Sequence, residues 1–73
     1  MVNEDVIKKF GLRLRELREE RSISQQHLAD ISNVSKLTIQ RIENAKFSVT
    51  LDTLISISKA LEIPLSELVN IQI

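Results

Sequence analysis

Apolar side chains recur at helical spacing along most of this chain and predict short amphipathic helices. In the first segment the apolar positions are separated by three or four residues: Ile7, Phe10, Leu14 and Leu17. Asn3 is followed by two acids, which is typical of a helix start because acids in the first turn suit the helix dipole. Gly11 interrupts this helix, which indicates either close packing at that point or nothing in particular.

Capping residues divide the rest of the sequence into four further helices. Ser24, Ser35 and Thr50 each precede a periodic segment and are good N-caps. Asn33 tolerates the left-handed conformation after a helix, and Pro64 suits the first turn of the last one. The helices are predicted over residues 4–20, 25–32, 36–44, 51–61 and 65–70.

Composition favours one all-α domain over residues 1–73. A chain of 73 residues allows a single domain with a thin core. One glycine, one proline and two aromatic residues disfavour a small β-sandwich or barrel, which needs frequent turns. Because the chain has no cysteine, packing of apolar side chains must supply the stability.

The sequence lacks the residue patterns that are typical of an enzyme, a metal site or a membrane span. His27 is the one histidine and has no partner at ligand spacing, so we expect no metal. The serines lack the histidine and acid that a nucleophile needs, and no glycine-rich phosphate loop is present, so we expect no cofactor, small-molecule ligand or enzymatic activity. Without a long apolar run, a soluble, intracellular protein is the simplest expectation.

Charge distribution matters more than the net charge of zero. Residues 8–21 carry six basic and three acidic side chains, and residues 35–50 carry three basic side chains and one acid. Both segments therefore carry a net positive charge, which suits a surface that binds nucleic acid. A protein-interaction module without DNA binding remains the alternative that zero net charge favours.

The third predicted helix has two distinct faces. At 100° per residue, Ile39 and Ile42 face inward. Leu37, Gln40, Arg41 and Asn44 fall on the opposite face, with Lys36 beside them. Glutamine can read adenine, arginine can read guanine, and an apolar side chain can contact the thymine methyl group. A solvated face with one stray leucine is the alternative.

Two short helices joined by a tight turn are typical of a helix-turn-helix, although many small α domains contain such a pair. Over residues 10–69, many spaced positions match the pattern of another group of proteins at once. The stretch "GLRLRELREERSISQQHLADISNVSKLTIQRIENAKFSVTLDTLISISKALEIPLSELV" resembles lambda-repressor-like, XRE-type helix-turn-helix regulators. The resemblance implies a compact five-helix fold with the third helix in the major groove. It places base-reading positions at Lys36, Leu37, Gln40 and Arg41. It places DNA-backbone positions at Gln25, Ser35, Thr38, Asn44 and Lys46.

Glu43 is an acid within this otherwise polar or basic surface. On the helical wheel it lies beside Ile39, at the edge of the core, and Arg18 lies at the core edge of the first helix. In the family, the residues at these two positions look like an ion pair between the first and third helices. We therefore predict a partly shielded Arg18–Glu43 bridge that ties the reading helix to the scaffold.

Three positions depart from the family pattern. Ala45 and Ser22 stand where glycine is common, and Val49 stands where proline often precedes the fourth helix. Ala45 would be strained if this position needs a left-handed conformation, and the alternative is that the third helix runs on by a residue. Phe47, in the same loop, is expected to pack inward rather than to meet DNA.

The end of the chain carries apolar residues that either fold back on the core or bind a second copy. These candidate dimer contacts are Leu65, Leu68, Val69, Ile71 and Ile73. We favour a homodimer on a palindromic operator, acting as a cytoplasmic, nucleoid-associated transcriptional repressor of a bacterium or phage. The alternative within this class is an antitoxin that represses its own operon and uses the apolar tail to hold a toxin.

Overall fold

Five α-helices form in the residues that the computed structural model describes, which are 4–46 and 48–72. They are α1 (Glu4–Glu20), α2 (Gln25–Ser32), α3 (Lys36–Glu43), α4 (Leu51–Leu61) and α5 (Leu65–Leu68). The prediction of an all-α, five-helix fold is confirmed. The bounds of α2 and α4 are those predicted, and α1 also ends where expected, while α3 and α5 end earlier.

The three predicted N-caps take their expected geometry. The hydroxyls of Ser24, Ser35 and Thr50 each accept a hydrogen bond from the backbone N–H three residues further on. Asn33 is left-handed, with φ 58°, and ends α2. The same conformation follows three other helices, at Ser22, Ala45 and Glu62.

The predicted end of α3 at Asn44 is wrong by one residue, because Ala45 is left-handed with φ 57°. The N–H of Ala45 donates to Ile42 O at 3.1 Å, and the N–H of Lys46 donates to Arg41 O at 2.8 Å. These two bonds form a Schellman closure, which satisfies the last carbonyls of the helix. The chain therefore keeps the turn that glycine usually makes, with alanine in the strained position.

The predicted extension of α5 to residue 70 is also wrong. Val69 still donates to Leu65 O at 3.1 Å, but the N–H of Asn70 turns to Glu67 O at 3.3 Å. The N–H of Ile71 then donates to Val69 O at 2.8 Å, which folds the chain back sharply. Ile71 thereby packs against the core instead of continuing the helix.

A single core joins all five helices. α1 and α2 both pack against α3, and α4 packs against α2 and α5. The central side chains, which are fully buried, are Leu14, Leu28, Ile39, Ile42, Ile57 and Leu68. α3 thus has one face in the core, and its opposite face is left at the surface.

Gly11 allows α1 to approach the C-terminal end of α3. A Cβ atom at this position would lie 2.5 Å from Ile42 O and 3.1 Å from Glu43 O. The first distance is shorter than real Cβ contacts, and its partner is rigid backbone. Of the two readings left open by the sequence, close packing is the one that the structure supports.

Candidate nucleic-acid interface

The outer face of α3 carries the four residues expected to read bases. Lys36, Leu37 and Arg41 are exposed, Leu37 to 53%, and Gln40 is half-buried. Ile39 and Ile42 lie in the core on the opposite side of the helix. The structure therefore places one apolar, one amide and two cationic side chains together on the accessible side of α3.

The residues expected to contact a DNA backbone lie at both ends of α3 and at the start of α2. Ser35 Oγ accepts from Thr38 N at 3.0 Å and lies 2.9 Å from Thr38 Oγ1, so these two hydroxyls form one cap. Asn44 and Lys46 are exposed beyond the last turn of α3. Gln25 is the first residue of α2 and is half-buried.

The side chain of Glu43 is fully buried and is joined to Arg18 by a bidentate ion pair. Arg18 Nε donates to Glu43 Oε2 at 2.8 Å, and its second terminal nitrogen donates to Glu43 Oε1 at 3.1 Å. The third guanidinium nitrogen donates to Ile23 O at 2.9 Å. One arginine of α1 therefore holds both α3 and the turn that leads into α2.

Two further donors reach the same carboxylate. Gln25 Nε2 donates to Glu43 Oε1 at 3.0 Å, and Arg15 Nε donates to that oxygen at 3.4 Å. Sequence reasoning missed both contacts. The position of Arg15, three residues before Arg18 on the same helical face, was a usable signal. The contact of Gln25 had no comparable signal, because it depends on how α2 is placed beside α3.

The ionisation of Glu43 follows from these contacts. Burial acts to raise the pKa of this carboxyl group, but the hydrogen bonds from Arg18 and Gln25 outweigh it and hold the pKa below its ordinary value. The hydrogen bond to Glu43 likewise raises the pKa of Arg18. Both partners are therefore fully charged at neutral pH, and their charges cancel inside the protein.

The C-terminal segment, residues 67–72, lies against α1. Lys9 Nζ donates to Gln72 O at 2.7 Å, and Arg13 donates to Glu67 O at 2.8 Å. Beside it is an apolar cavity of about 270 Å³. Its lining is drawn from α1, α3, α4, the loop before α4 and the end of the chain, and includes Val6, Phe10, Val49, Leu54, Val69 and Ile71.

The four candidate dimer residues that the structure describes differ in their burial. Leu68 has no exposed surface and belongs to the core, so its prediction as a dimer contact is wrong for this folded chain. Leu65 and Ile71 are half-buried, and Val69 is 37% exposed. Ile73 lies outside the described residues, as does Phe47, whose predicted inward packing is likewise not described.

The part of the chain that the structure describes has no helix of the length and apolarity needed to cross a membrane. Among the same residues, no group of three or more histidine, cysteine or acidic side chains could hold a metal ion.

Comparison with known proteins gives a consistent result. The HTH_3 family model, described as helix-turn-helix, matches residues 14–68. Over 56 residues, the chain is 46% identical to the HTH-type transcriptional repressor RghR of Bacillus subtilis (strain 168). That alignment covers 75% of this chain and 42% of RghR, so the chain spans less than half the length of this curated relative.

Two solved structures have the same fold. The restriction-modification controller protein C.AhdI of Aeromonas hydrophila aligns with a TM-score of 0.83 and 35% identity, over 85% of this chain and 94% of C.AhdI. An HTH_3 family transcriptional regulator of Vibrio cholerae aligns with a TM-score of 0.87 and 28% identity, over 92% of this chain and 38% of that protein.

Proposed function

Because this chain belongs to the HTH_3 helix-turn-helix family, we propose that it binds double-stranded DNA sequence-specifically as a small transcriptional repressor. The observation that carries the proposal is the accessible face of α3, where Leu37, Gln40 and Arg41 lie opposite the buried Ile39 and Ile42. Such a helix fits the major groove, where base edges are distinguishable. The repressor role is supported by the similarity to RghR.

Each side chain on this face has a defined recognition chemistry. Arg41 or Lys36 can donate to the acceptors of guanine, and Gln40 can bond bidentately to adenine. Leu37 is the apolar member and can contact a thymine methyl group. Together they would read adjacent base pairs as α3 lies in the groove.

A second group of polar residues would hold the DNA backbone and set the register without reading sequence. Lys46 and Asn44 project beyond the end of α3. Gln25, Ser35 and Thr38 lie at the N-terminal ends of α2 and α3, where the helix dipoles favour phosphate.

Selection from a pool of random duplexes tests the proposal. The wild-type protein should enrich one sequence, and its affinity for that site should fall steeply as salt rises. If no sequence is enriched and no salt-dependent binding is measured, the chain does not bind DNA in this way. The protein-interaction reading would then be favoured.

Two variants distinguish base reading from backbone contact. Arg41→Ala should relax the preference at one base pair and weaken binding by about 1–3 kcal/mol. Lys46→Ala should weaken binding to all sequences alike and lower the salt slope by about one unit. Lys59→Ala, which removes an exposed lysine of α4, is the control and should change neither property.

The proposal includes a homodimer that binds a palindromic operator. Val69 is exposed beside the half-buried Leu65 and Ile71, and the apolar cavity extends this surface. Two-fold symmetry would set the two α3 helices about 34 Å apart, one turn of DNA. Sedimentation should show a dimer, and the enriched site should contain two inverted half-sites. A monomer at high concentration, with and without DNA, would contradict the dimer.

A further inference from the structure

The hydrogen bond between Gln25 and Glu43 joins the first residue of α2 to the last residue of α3. Its 3.0 Å length is that of an ordinary hydrogen bond, and the accepting carboxylate is fully buried. Arg18 holds the same carboxylate with two further bonds, so the acceptor has a defined position. Gln25 is therefore held by a rigid partner, although it is itself half-buried at the surface.

This contact decides which way the amide of Gln25 faces. An ionised carboxylate only accepts hydrogen bonds, so the amide must present its nitrogen, and not its oxygen, to Glu43. The nitrogen carries two protons, and Glu43 Oε1 takes one of them. Within the described residues Gln25 Nε2 donates to no second acceptor, so its other N–H is available to a ligand.

The backbone at the start of α2 offers a further donor. The first N–H groups of a helix have no intrahelical acceptor. In α2, Ser24 Oγ accepts from His27 N at 3.0 Å, and the N–H of Gln25 donates to no other group within the described residues. The second amide N–H and this backbone N–H belong to one residue at the N-terminus of α2, where the helix dipole favours a phosphate.

We propose that Glu43 is a positioning residue for DNA binding, because its buried carboxylate orients the Gln25 amide toward a phosphate of the DNA backbone. This inference rests on the proposed function. Glu43 itself does not touch DNA; it restricts the Gln25 side chain before binding, which lowers the entropy lost when the phosphate contact forms. Since a phosphate contact carries no sequence information, the effect is the same for every DNA sequence.

A double-mutant cycle on the selected duplex tests this coupling. In the wild-type background, Gln25→Ala should weaken binding about tenfold, as expected for one hydrogen bond to a charged group. In the Glu43→Gln background the amide is no longer held by a charged acceptor, and the same change should weaken binding by less than about threefold. The base preference of Glu43→Gln should match that of the wild type.

Gln26→Ala is the matched control. Gln26 Nε2 donates to Asp30 Oδ1 at 2.8 Å, so it is also a glutamine of α2 bonded to a carboxylate. That carboxylate lies on α2 itself and does not link two helices. The effect of Gln26→Ala on affinity should therefore be the same in both backgrounds.

The outcomes distinguish a failure of the Glu43–Gln25 coupling from a failure of the proposed DNA binding. If the wild type binds and Gln25→Ala weakens binding equally in both backgrounds, Glu43 merely supports α3 and the inference is overturned. An absence of any effect of Gln25→Ala in the wild type overturns it as well. Failure of the wild type to bind any duplex refutes the proposed function instead.

A second measurement uses the native sequence and does not depend on the folding of Glu43→Gln. In NMR spectra of the free protein, one side-chain amide proton of Gln25 should be shifted downfield by its bond to Glu43. The other should shift only when the selected duplex is added. Two protons that respond alike in the free protein and in the complex would contradict the inference.

Discussion

At the scale of single residues, Glu43 illustrates how a buried charge is accommodated. An unpaired carboxylate in this position would be strongly unfavourable, but Arg18, Gln25 and Arg15 all donate to it. Such a pair contributes little net stability compared with an apolar contact, whereas removal of one partner leaves the other charge unpaired. We therefore expect its main effect to be on the specificity with which α1, α2 and α3 are arranged.

Replacement of Glu43 by glutamine should lower the free energy of unfolding at neutral pH by about 2–4 kcal/mol, since it leaves the Arg18 guanidinium without its charged partner. Urea unfolding followed by circular dichroism measures the loss. Glu67→Gln alters an exposed side chain and should change stability by less than about 0.5 kcal/mol. Equal stability of Glu43→Gln and the wild type would show that the ion pair has no structural importance.

The same variant should change the pH dependence of stability. The folded protein holds the pKa of Glu43 below its unfolded value. The stabilisation is therefore complete above the unfolded pKa and is lost as the pH falls through the lowered, folded value. Melting temperatures measured from pH 7 downward should converge for wild type and Glu43→Gln in acid. A constant difference at all pH values would contradict this account.

At the scale of helices, two small residues with different roles lie at the C-terminal end of α3. Ala45 is left-handed directly after α3, in a conformation that favours glycine. Gly11 has an ordinary helical position, but it lies against the last carbonyls of α3. The chain thus uses alanine where glycine would relieve strain, and glycine where any side chain would clash.

Ala45→Gly should therefore raise the free energy of unfolding by about 0.5–1 kcal/mol, because relief of the left-handed strain exceeds the added flexibility of the unfolded chain. Ala60→Gly, within α4, is the control and should lower stability by about 1 kcal/mol. Urea unfolding of both variants gives the comparison. A loss of stability in both would mean that the strain at Ala45 is negligible.

Gly11→Ala should have the opposite effect to the one that helix propensity suggests. Alanine favours a helix by about 1 kcal/mol over glycine, but here its methyl group would overlap the carbonyl oxygen of Ile42. We expect a net loss of about 1–3 kcal/mol by urea unfolding, as for other overpacked sites. Leu12→Ala, at the exposed neighbouring position, should change stability much less. A more stable Gly11→Ala would show that α1 can move away freely.

At the scale of the whole molecule, the C-terminal segment completes a core that is small because the chain is short. Leu68 lies fully inside it, and Ile71 packs against its edge. Val69, between them, points outward beside the apolar cavity. Of the two roles that the sequence left open, Leu68 and Ile71 therefore take the first, packing with the core, and the proposed contact with a second copy falls to Val69.

Alanine substitutions should separate these two roles. Leu68→Ala should lower the free energy of unfolding by about 2–5 kcal/mol, as expected when a large side chain is removed from a core. Val69→Ala should lower it by less than about 1 kcal/mol and should instead weaken the proposed dimer in sedimentation experiments. If Leu68→Ala is as stable as the wild type, the C-terminal segment does not contribute to the core.

The elements of the fold could be predicted from the sequence because their signals are local. A cap and the N–H that it binds are three residues apart, and the apolar stripes of α1 and α3 repeat every three or four residues. The same wheel placed Arg18 and Glu43 at the core edges of their helices, and the family resemblance suggested that they meet. These inferences need only the regular geometry of a helix.

Other features were decided by tertiary packing, which local signals do not contain. Gln25 reaches Glu43 only because α2 is placed beside the end of α3, and Leu68 is buried only because the chain folds back over α1 and α4. Ala45 is left-handed where the Schellman bonds end α3, beside the close approach of α1 at Gly11. The sequence by itself determined which helices form and which faces are apolar, since these depend on neighbouring residues. Their mutual placement, and with it the set of donors around Glu43, depends on contacts between distant segments.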